Sequence, residues 1–331
     1  MVRAAIVGLG WWGRRMVEEQ AAKGRALTFT HAVVRSPEKA EDFARRHDLV
    51  LLTDYDAALS SVDVDVAVLA TPHAMHVPQV IAAAGARKHV FSEKPLALTA
   101  VEAGRAVAAC RKAGVVLGLG TDRRLLPAMR RLSDLVAAGD LGSILHVEGQ
   151  YSNNNMRRGV SGGWRSDPEL NPGAGMTGPG LHVLDALLAV AGPLSNVVGQ
   201  ISRPEGPTAM VDAASALLTF KSGVTGTLGV VRGVPDYFRV AVFGSEGWAE
   251  LTDFGTLTVH RNGHARFSEA HAPELAISAL LDAFGDAVEG RADFPVSPDR
   301  MLDTVAAFEA TVAAMESGTR IAVTHPRGVA A

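Results

Sequence analysis

The chain is 331 residues long, 47% hydrophobic, with 32 Lys and Arg against 35 Asp and Glu, for a formal net charge of −3. That length suits two packed domains rather than one, and the near-balanced charge argues against nucleic acid or a membrane surface as the main partner, since both favour a basic excess. A lone cysteine, Cys110, excludes an internal disulfide, and without a zinc-type ligand set no metal is expected.

No apolar stretch reaches the roughly 18–20 residues of a membrane span, and Met1 leads directly into a strand-like run with no secretory signal. A soluble, cytoplasmic protein is expected. In chain order, residues 3–7 read as a buried strand, followed by a Gly-rich turn and a helix at 12–23. Strand 27–34 and helix 37–46 come next, with Pro37 suited to a first helical turn. Then follow strand 50–52, helix 55–59, strand 65–69, helix 75–84, strand 89–91, helix 99–112 with Thr99 as N-cap, and strand 115–119. Strand–helix alternation with short connections is the pattern of a doubly wound parallel sheet covered on both faces.

After about Thr121 the rhythm changes. A helix is predicted at 126–138, an extended run at 143–151, and a helix at 182–190 after a segment rich in Gly, Pro and Asn. Strand-like runs follow at 196–201, 213–220, 224–231, 238–243, 248–251 and 257–260. Lys221-Ser222-Gly223-Val224 and Gly244-Ser245-Glu246-Gly247 suit hairpin connections between them. Helices are predicted at 274–289 and 298–317. The expected class is α/β, with a parallel N-terminal domain over 1–121. Behind it, over 122–331, an α+β substrate domain is built on a large, open, mostly antiparallel sheet.

Gly8-Leu9-Gly10-Trp11-Trp12-Gly13 immediately follows the first strand and opens the first helix. Glycines at this spacing serve a tight turn, close approach to a pyrophosphate and close helix–strand packing, while the helix N-terminus faces the phosphates. With a full alternating domain behind it, this is the fingerprint of a Rossmann dinucleotide site. The end of the second strand reads Val33-Val34-Arg35-Ser36, with no carboxylate to grip ribose hydroxyls. Arg35 and Ser36, with Lys39 nearby, suit a 2′-phosphate, which favours NADP over NAD.

Two further motifs carry a resemblance. Ala70-Thr71-Pro72-His73-Ala74-Met75-His76 follows the strand at 65–69, and Ser92-Glu93-Lys94-Pro95 follows the one at 89–91. Both resemble motifs of the glucose–fructose oxidoreductase and inositol dehydrogenase family (Gfo/Idh/MocA). Later landmarks are Arg124-Leu125-Leu126-Pro127, Gly163-Trp164-Arg165, and His182 with Asp185 at the end of Gly178-Pro179-Gly180-Leu181-His182-Val183-Leu184-Asp185.

The resemblance implies an NAD(P)-dependent enzyme that transfers hydride between the nicotinamide and a secondary alcohol or ketone, with a sugar, cyclic polyol or related cyclic diol as first expectation. It places Lys94 beside the reacting carbon and His182 as acid/base. Thr71, Pro72, His73, His76, Glu93, Trp164 and Arg165 would join Gly8, Gly10, Trp11, Trp12, Gly13, Arg35 and Ser36 around the cofactor. Asp185, three residues after His182, shares its helix face and could orient it. Thr177, Tyr151 and Asn171 offer polar groups to substrate, and Arg123 and Arg124 suit an anionic one. A homodimer or homotetramer through the C-terminal sheet is implied.

One departure stands out. Members of the family commonly carry an aspartate four residues before this histidine, and here that position is Gly178. The departure keeps two alternatives open: a nucleotide-binding regulator with reduced catalysis, and an aromatic cis-dihydrodiol dehydrogenase. Transient use of a retained cofactor is a third.

Overall fold

The computed structural model describes residues 1–154, 170–203, 213–272 and 277–325. The chain forms two compact units, one built from residues 1–122 with 277–302 and the other from the described residues of 123–272 with 303–325.

In the first unit β1 (Val2–Val7), α1 (Trp11–Lys23), β2 (Leu27–Val33), α2 (Glu41–Arg46), β3 (Val50–Leu52), α3 (Tyr55–Ser60), β4 (Val66–Leu69), α4 (His73–Gly85), β5 (His89–Ser92), α5 (Ala100–Ala113) and β6 (Leu117–Leu119) alternate as expected. The six strands pair in parallel in the order β3-β2-β1-β4-β5-β6. The order reverses between β1 and β4, so the loops leaving these strands open on the crevice where such sheets take their ligands. β1 and β4 read as unbroken apolar runs because both faces are covered: Ala4, Ala5, Ile6, Val66, Val68 and Leu69 are fully buried. Thr99 caps α5 as expected, its hydroxyl accepting the Glu102 N–H at 3.3 Å. α4 begins at His73, two residues earlier than the pattern suggested, which puts His73 and His76 on its first turns.

The second unit contains α6 (Pro127–Ala137), β7 (Ile144–Asn153), α7 (Pro179–Ala191), β8 (Leu194–Ser202), β9 (Ala213–Phe220), β10 (Thr225–Arg232), β11 (Tyr237–Gly244), β12 (Gly247–Thr252), β13 (Thr256–Arg261) and β14 (Phe267–Ala270). Its nine-stranded sheet runs β14-β13-β12-β11-β7-β10-β9-β8-β15, where β15 is Ile321–Ala322. Only the β7–β10 pair is parallel; the rest are antiparallel. Both hairpin turns fall where expected. α7 packs on the sheet and starts three residues earlier than predicted, because Pro179 fits a first helical position.

α8 (Ile277–Val288) and α9 (Pro298–Ser317) precede β15. A single boundary near residue 121 assigns α8 to the second domain, but it packs in the first unit. The reason lies in two contacts. Asp282, nearly buried, accepts the backbone N–H groups of Arg25 and Ala26 at 2.9 and 2.8 Å and the Gln20 amide at 3.0 Å. Phe284 packs edge-on against Phe91 of β5, ring centroids 5.5 Å apart. No helix among the described residues is long and apolar enough to cross a membrane.

Candidate active site

The glycine turn after β1 is built as its spacing suggests. Gly8 adopts φ +99°, and a Cβ there would sit 2.9 Å from the Ala70 carbonyl oxygen. A Cβ on Gly13 would collide with the Gly8 carbonyl, so this glycine is required by helix–strand packing. Gly10 differs. Its φ is −71°, and no described atom lies within 4 Å of where a Cβ would be. Neither backbone conformation nor internal packing demands glycine there, so the empty space at the mouth of α1 fits a dinucleotide pyrophosphate. Trp11, 59% exposed, and Trp12 lie side by side at this helix start, with the Arg15 guanidinium 5.9 and 5.8 Å from their rings.

Arg35 is exposed and Ser36 half-buried just beyond β2. Arg14 ties this loop to the glycine turn, donating to the carbonyls of Lys39 at 2.9 Å and Leu9 at 3.2 Å. Its guanidinium also lies 4.8 Å from the Phe43 ring. The sequence reading passed over Arg14; an arginine one residue past the fingerprint carries no local mark of such a role.

At the ends of β4 and β5 the two motifs are joined through a histidine. His76 is fully buried, its Nδ1 2.7 Å from the Pro95 carbonyl and its Nε2 3.0 Å from that of Thr71. Burial holds its pKa below the usual imidazole range, against the pull of the two carbonyls. His76, expected beside the cofactor, has no exposed surface here and joins the loops after β4 and β5. The Thr71 hydroxyl donates to Gln79 at 2.6 Å, and His73 lies edge-on to His76 at 5.8 Å. Pro72 leads into α4, and the Lys94–Pro95 peptide bond is cis.

Lys94 is half-buried in the loop after β5. Its backbone N–H donates to its neighbour's carboxylate, Glu93 Oε2, at 3.2 Å. Glu93 is half-buried, and the withdrawal of its carboxyl from water pushes it up to about 7; nearby Asp122 reinforces this and Lys94 opposes it. Asp122, itself buried, was not singled out by sequence.

In the second unit His182 lies one turn inside α7, half-buried, with its ring 6.3 Å from that of Tyr151. Tyr151 meets Phe238 and Phe254 edge-on at 5.5 and 5.6 Å, and those two phenylalanines stack at 4.4 Å. Arg123, only 8% exposed, spreads its guanidinium 5.2 Å from the Phe254 ring and 6.0 Å from Tyr151. Phe254 and Asp253 both adopt positive φ, 63° and 51°, at the β12–β13 turn. A bulky side chain there is strained by roughly 1–3 kcal/mol, and the ring stack holds it. Sequence alone gave no sign of this aromatic group beyond Tyr151.

Asp185 does not serve His182 as the helix spacing suggested. Both of its oxygens are taken by Arg124, at 2.5 Å from Nε and 2.7 Å from Nη2, and Thr304 adds a bond at 3.2 Å. A buried guanidinium needs its counter-charge more than a neighbouring imidazole needs an orienting group, so Arg124 is no anion receptor either. Burial opposes the charge on Arg124 and Asp185 more than offsets it. The Thr177 hydroxyl donates to the Asn171 side-chain oxygen. Gly178 is the N-cap of α7, and a Cβ there would approach only the Gly175 carbonyl, at 3.8 Å. Trp164 and Arg165 lie outside the described residues. No cluster of three metal-ligating side chains occurs among the described residues.

A parallel dinucleotide-type unit joined to a large open sheet defines a two-unit oxidoreductase architecture. Residues 2–121 match the family model described as "Oxidoreductase family, NAD-binding Rossmann fold", and residues 129–250 match that of the GFO/IDH/MocA C-terminal domain. The chain belongs to the Gfo/Idh/MocA oxidoreductase family. It is 30% identical over 203 residues to a 2,7-anhydro-N-acetylneuraminate hydratase of Escherichia coli, covering 61% of this chain and 52% of that one. It is also 30% identical over 190 residues to an NADP-dependent D-xylose 1-dehydrogenase of Haloarcula marismortui, covering 56% and 52%. The matched stretch thus spans about half the length of these two curated relatives. A levoglucosan dehydrogenase solved with NADH and levoglucosan shares the fold, with TM-score 0.88 at 20% identity over 98% of this chain and 100% of the other.

Proposed function

We propose that the protein is a dehydrogenase or reductase that uses a nicotinamide dinucleotide, NADP in preference to NAD. Its substrate is a secondary alcohol or the matching ketone in a sugar, cyclic polyol or related cyclic diol. The observation that carries the reading is Gly10: glycine stands where no described residue requires it, at the mouth of α1 beside the strand ends. When bound, the cofactor exchanges a hydride with the substrate carbon. Gly8, Gly10 and Gly13 shape the pyrophosphate seat, and Arg35 and Ser36 meet the 2′-phosphate. The Lys94 ammonium donates to the substrate oxygen and stabilises its alkoxide character. His182 takes up or returns the hydroxyl proton.

Two glycine variants test the cofactor seat. Gly10→Ala is expected to leave the urea midpoint unchanged while weakening NADPH binding by about tenfold or more, roughly 1.4 kcal/mol. Gly13→Ala is expected to destabilise the fold itself. Equal NADPH affinity in Gly10→Ala and wild type, or no binding of either nucleotide by wild type, would overturn the reading. A panel of sugars, cyclic polyols and dihydrodiols, followed at the nicotinamide absorbance, then names the substrate; turnover should vanish in Lys94→Ala. Tight nucleotide binding without turnover would favour a regulator.

A second copy of the chain is the proposed cover for the outer face of the nine-stranded sheet, giving a homodimer or homotetramer. Side chains alternate along β9, and Leu217, on the face opposite Ala216 and Leu218, is 64% exposed. Light scattering that returned a monomer mass at micromolar concentration would refute it. The cytoplasm, where nicotinamide cofactors turn over, is the proposed location.

A further inference from the structure

Arg14 lies in the first turn of α1, one residue past Gly13. Its guanidinium fastens two separate segments together. Nε donates to the Leu9 carbonyl at 3.2 Å, inside the glycine turn, and Nη2 to the Lys39 carbonyl at 2.9 Å, in the loop between β2 and α2. It also lies over the Phe43 ring of α2 at 4.8 Å, and the Arg46 guanidinium is 5.6 Å from the same ring. Both acceptors are neutral carbonyls. Among the described residues no carboxylate pairs with Arg14 and nothing accepts from its Nη1, although the side chain is half-buried. A charge drawn partly out of water is usually paired, and Arg25, Arg124 and Arg239 of this chain each meet a carboxylate. Arg35 and Lys39 likewise have no carboxylate partner among the described residues. Of the nearby acids Asp42 is taken by Arg45, while Glu38 and Glu41 pair with none of the three cations.

We propose that Arg14 is a specificity-determining residue for a 2′-phosphorylated adenine nucleotide, holding the 35–39 loop to the glycine turn and supplying, with Arg35 and Lys39, positive charge that a 2′-phosphate neutralises. In a sheet of this order the pyrophosphate sits at the glycine turn and the adenosine ribose at the end of β2, and Arg14 touches both places. A guanidinium can keep its two carbonyl bonds and still donate to a phosphate from its third nitrogen, which a lysine ammonium at the same position cannot do. A nucleotide with a free 2′-hydroxyl leaves the three cations without a counter-charge. This rests on the dinucleotide reading of the site and assigns its NADP preference to a residue outside the end of β2.

Calorimetry with adenosine 2′,5′-bisphosphate and with 5′-AMP isolates the 2′-phosphate from the rest of the cofactor. Wild type should bind the bisphosphate more tightly by about tenfold or more, the worth of a charge-assisted hydrogen bond. Arg14→Met keeps an unbranched side chain against Phe43 and removes the charge. In it the ratio of the two affinities should drop by about tenfold, with 5′-AMP binding changed by less than about threefold. A ratio that survives in Arg14→Met overturns the proposal and leaves the cofactor reading standing. An equal loss for both nucleotides also overturns it, since Arg14 would then only brace the loop. Wild type that binds neither nucleotide, or that prefers 5′-AMP, overturns the reading beneath it. Should Arg14→Met fail to fold, phenylglyoxal modification of the wild type, read by peptide mass, decides. Bisphosphate at about ten times its Kd should slow modification of Arg14 about tenfold, 5′-AMP at the same multiple should slow it much less, and exposed Arg105 serves as the unchanged reference. Equal protection by the two nucleotides, or none, refutes the assignment.

Discussion

Removing the Asp185 carboxylate should be among the most damaging single changes in the second unit. Asp185 and Arg124 are 2% and 10% exposed at the side chain, and they meet through two hydrogen bonds of 2.5 and 2.7 Å. Asp185→Ala leaves a guanidinium buried without its counter-charge, at a cost of about 3–5 kcal/mol. The lost Thr304 bond adds about 1 kcal/mol. Replacing both partners, as Arg124→Met with Asp185→Leu, removes the stranded charge, and buried pairs exchanged for apolar residues are often neutral in cost. The double variant should therefore be more stable than Asp185→Ala by about 2 kcal/mol or more. Urea unfolding followed by circular dichroism on wild type, Arg124→Met, Asp185→Leu and their double closes the cycle, with Asp185→Ala measured beside them. Asp185→Ala within about 1 kcal/mol of wild type, or a double variant worse than the single, would refute the reasoning. His182 lies one turn before Asp185 on α7, so turnover should fall along with stability.

The raised Glu93 carboxyl, and the proton it would hold, should tie stability to pH. The folded protein keeps it up to about pH 7, while an unfolded glutamic acid releases it near 4.5. Unfolding therefore expels a proton between these values, and stability should fall as pH rises through that window. Urea midpoints from pH 4.5 to 7 should flatten in Glu93→Gln; an unchanged slope would count against it. Cys110 is buried and its thiol is pushed up to about 12 by burial. A disulfide reagent should leave it untouched in the native protein and label it fully in urea; rapid native labelling would show an opening that its packing does not predict. Gly178→Asp places a carboxylate at a helix start whose N-cap residue supplies no side-chain cap, with room for a Cβ. Its stability should be unchanged or raised by a few tenths of a kcal/mol, and thermal melting showing a loss of more than about 1 kcal/mol would contradict the geometry.

The parallel unit was the legible half. Its strands are apolar on both faces, its helices carry recognisable caps such as Thr99, and the spacing of Gly8, Gly10 and Gly13 marks a site without reference to distant residues. In the second unit β14 and β15 escaped notice: one is a largely exposed edge strand and the other only two residues long. Pairing across long stretches of chain was equally invisible. Helix spacing offered His182 as the partner of Asp185, while Arg124, 61 residues away, takes it. Nor does anything near Asp282 announce that it closes a turn at Arg25 and Ala26, more than 250 residues earlier. His76 was recognised from its motif, yet only its burial tells a ligand contact from a brace. Local chemistry can be read from a sequence; which of two chemically sensible partners is nearer cannot.

The chain crosses between its units three times: residues 1–122 build the first, the described residues of 123–272 most of the second, α8 returns to the first, and residues 303–325, with β15, return to the second. No single cut separates the halves. A fragment ending at Asp122 would leave the Arg25 and Ala26 amides without their Asp282 acceptor and the Phe91 ring without Phe284. During synthesis the dinucleotide-type unit remains unfinished until α8 has emerged from the ribosome, by which time most of the second sheet has already been made. A recombination event that exchanged the whole second sheet would need three crossovers, near residue 122, before residue 277 and near residue 303, because β15 belongs to that sheet.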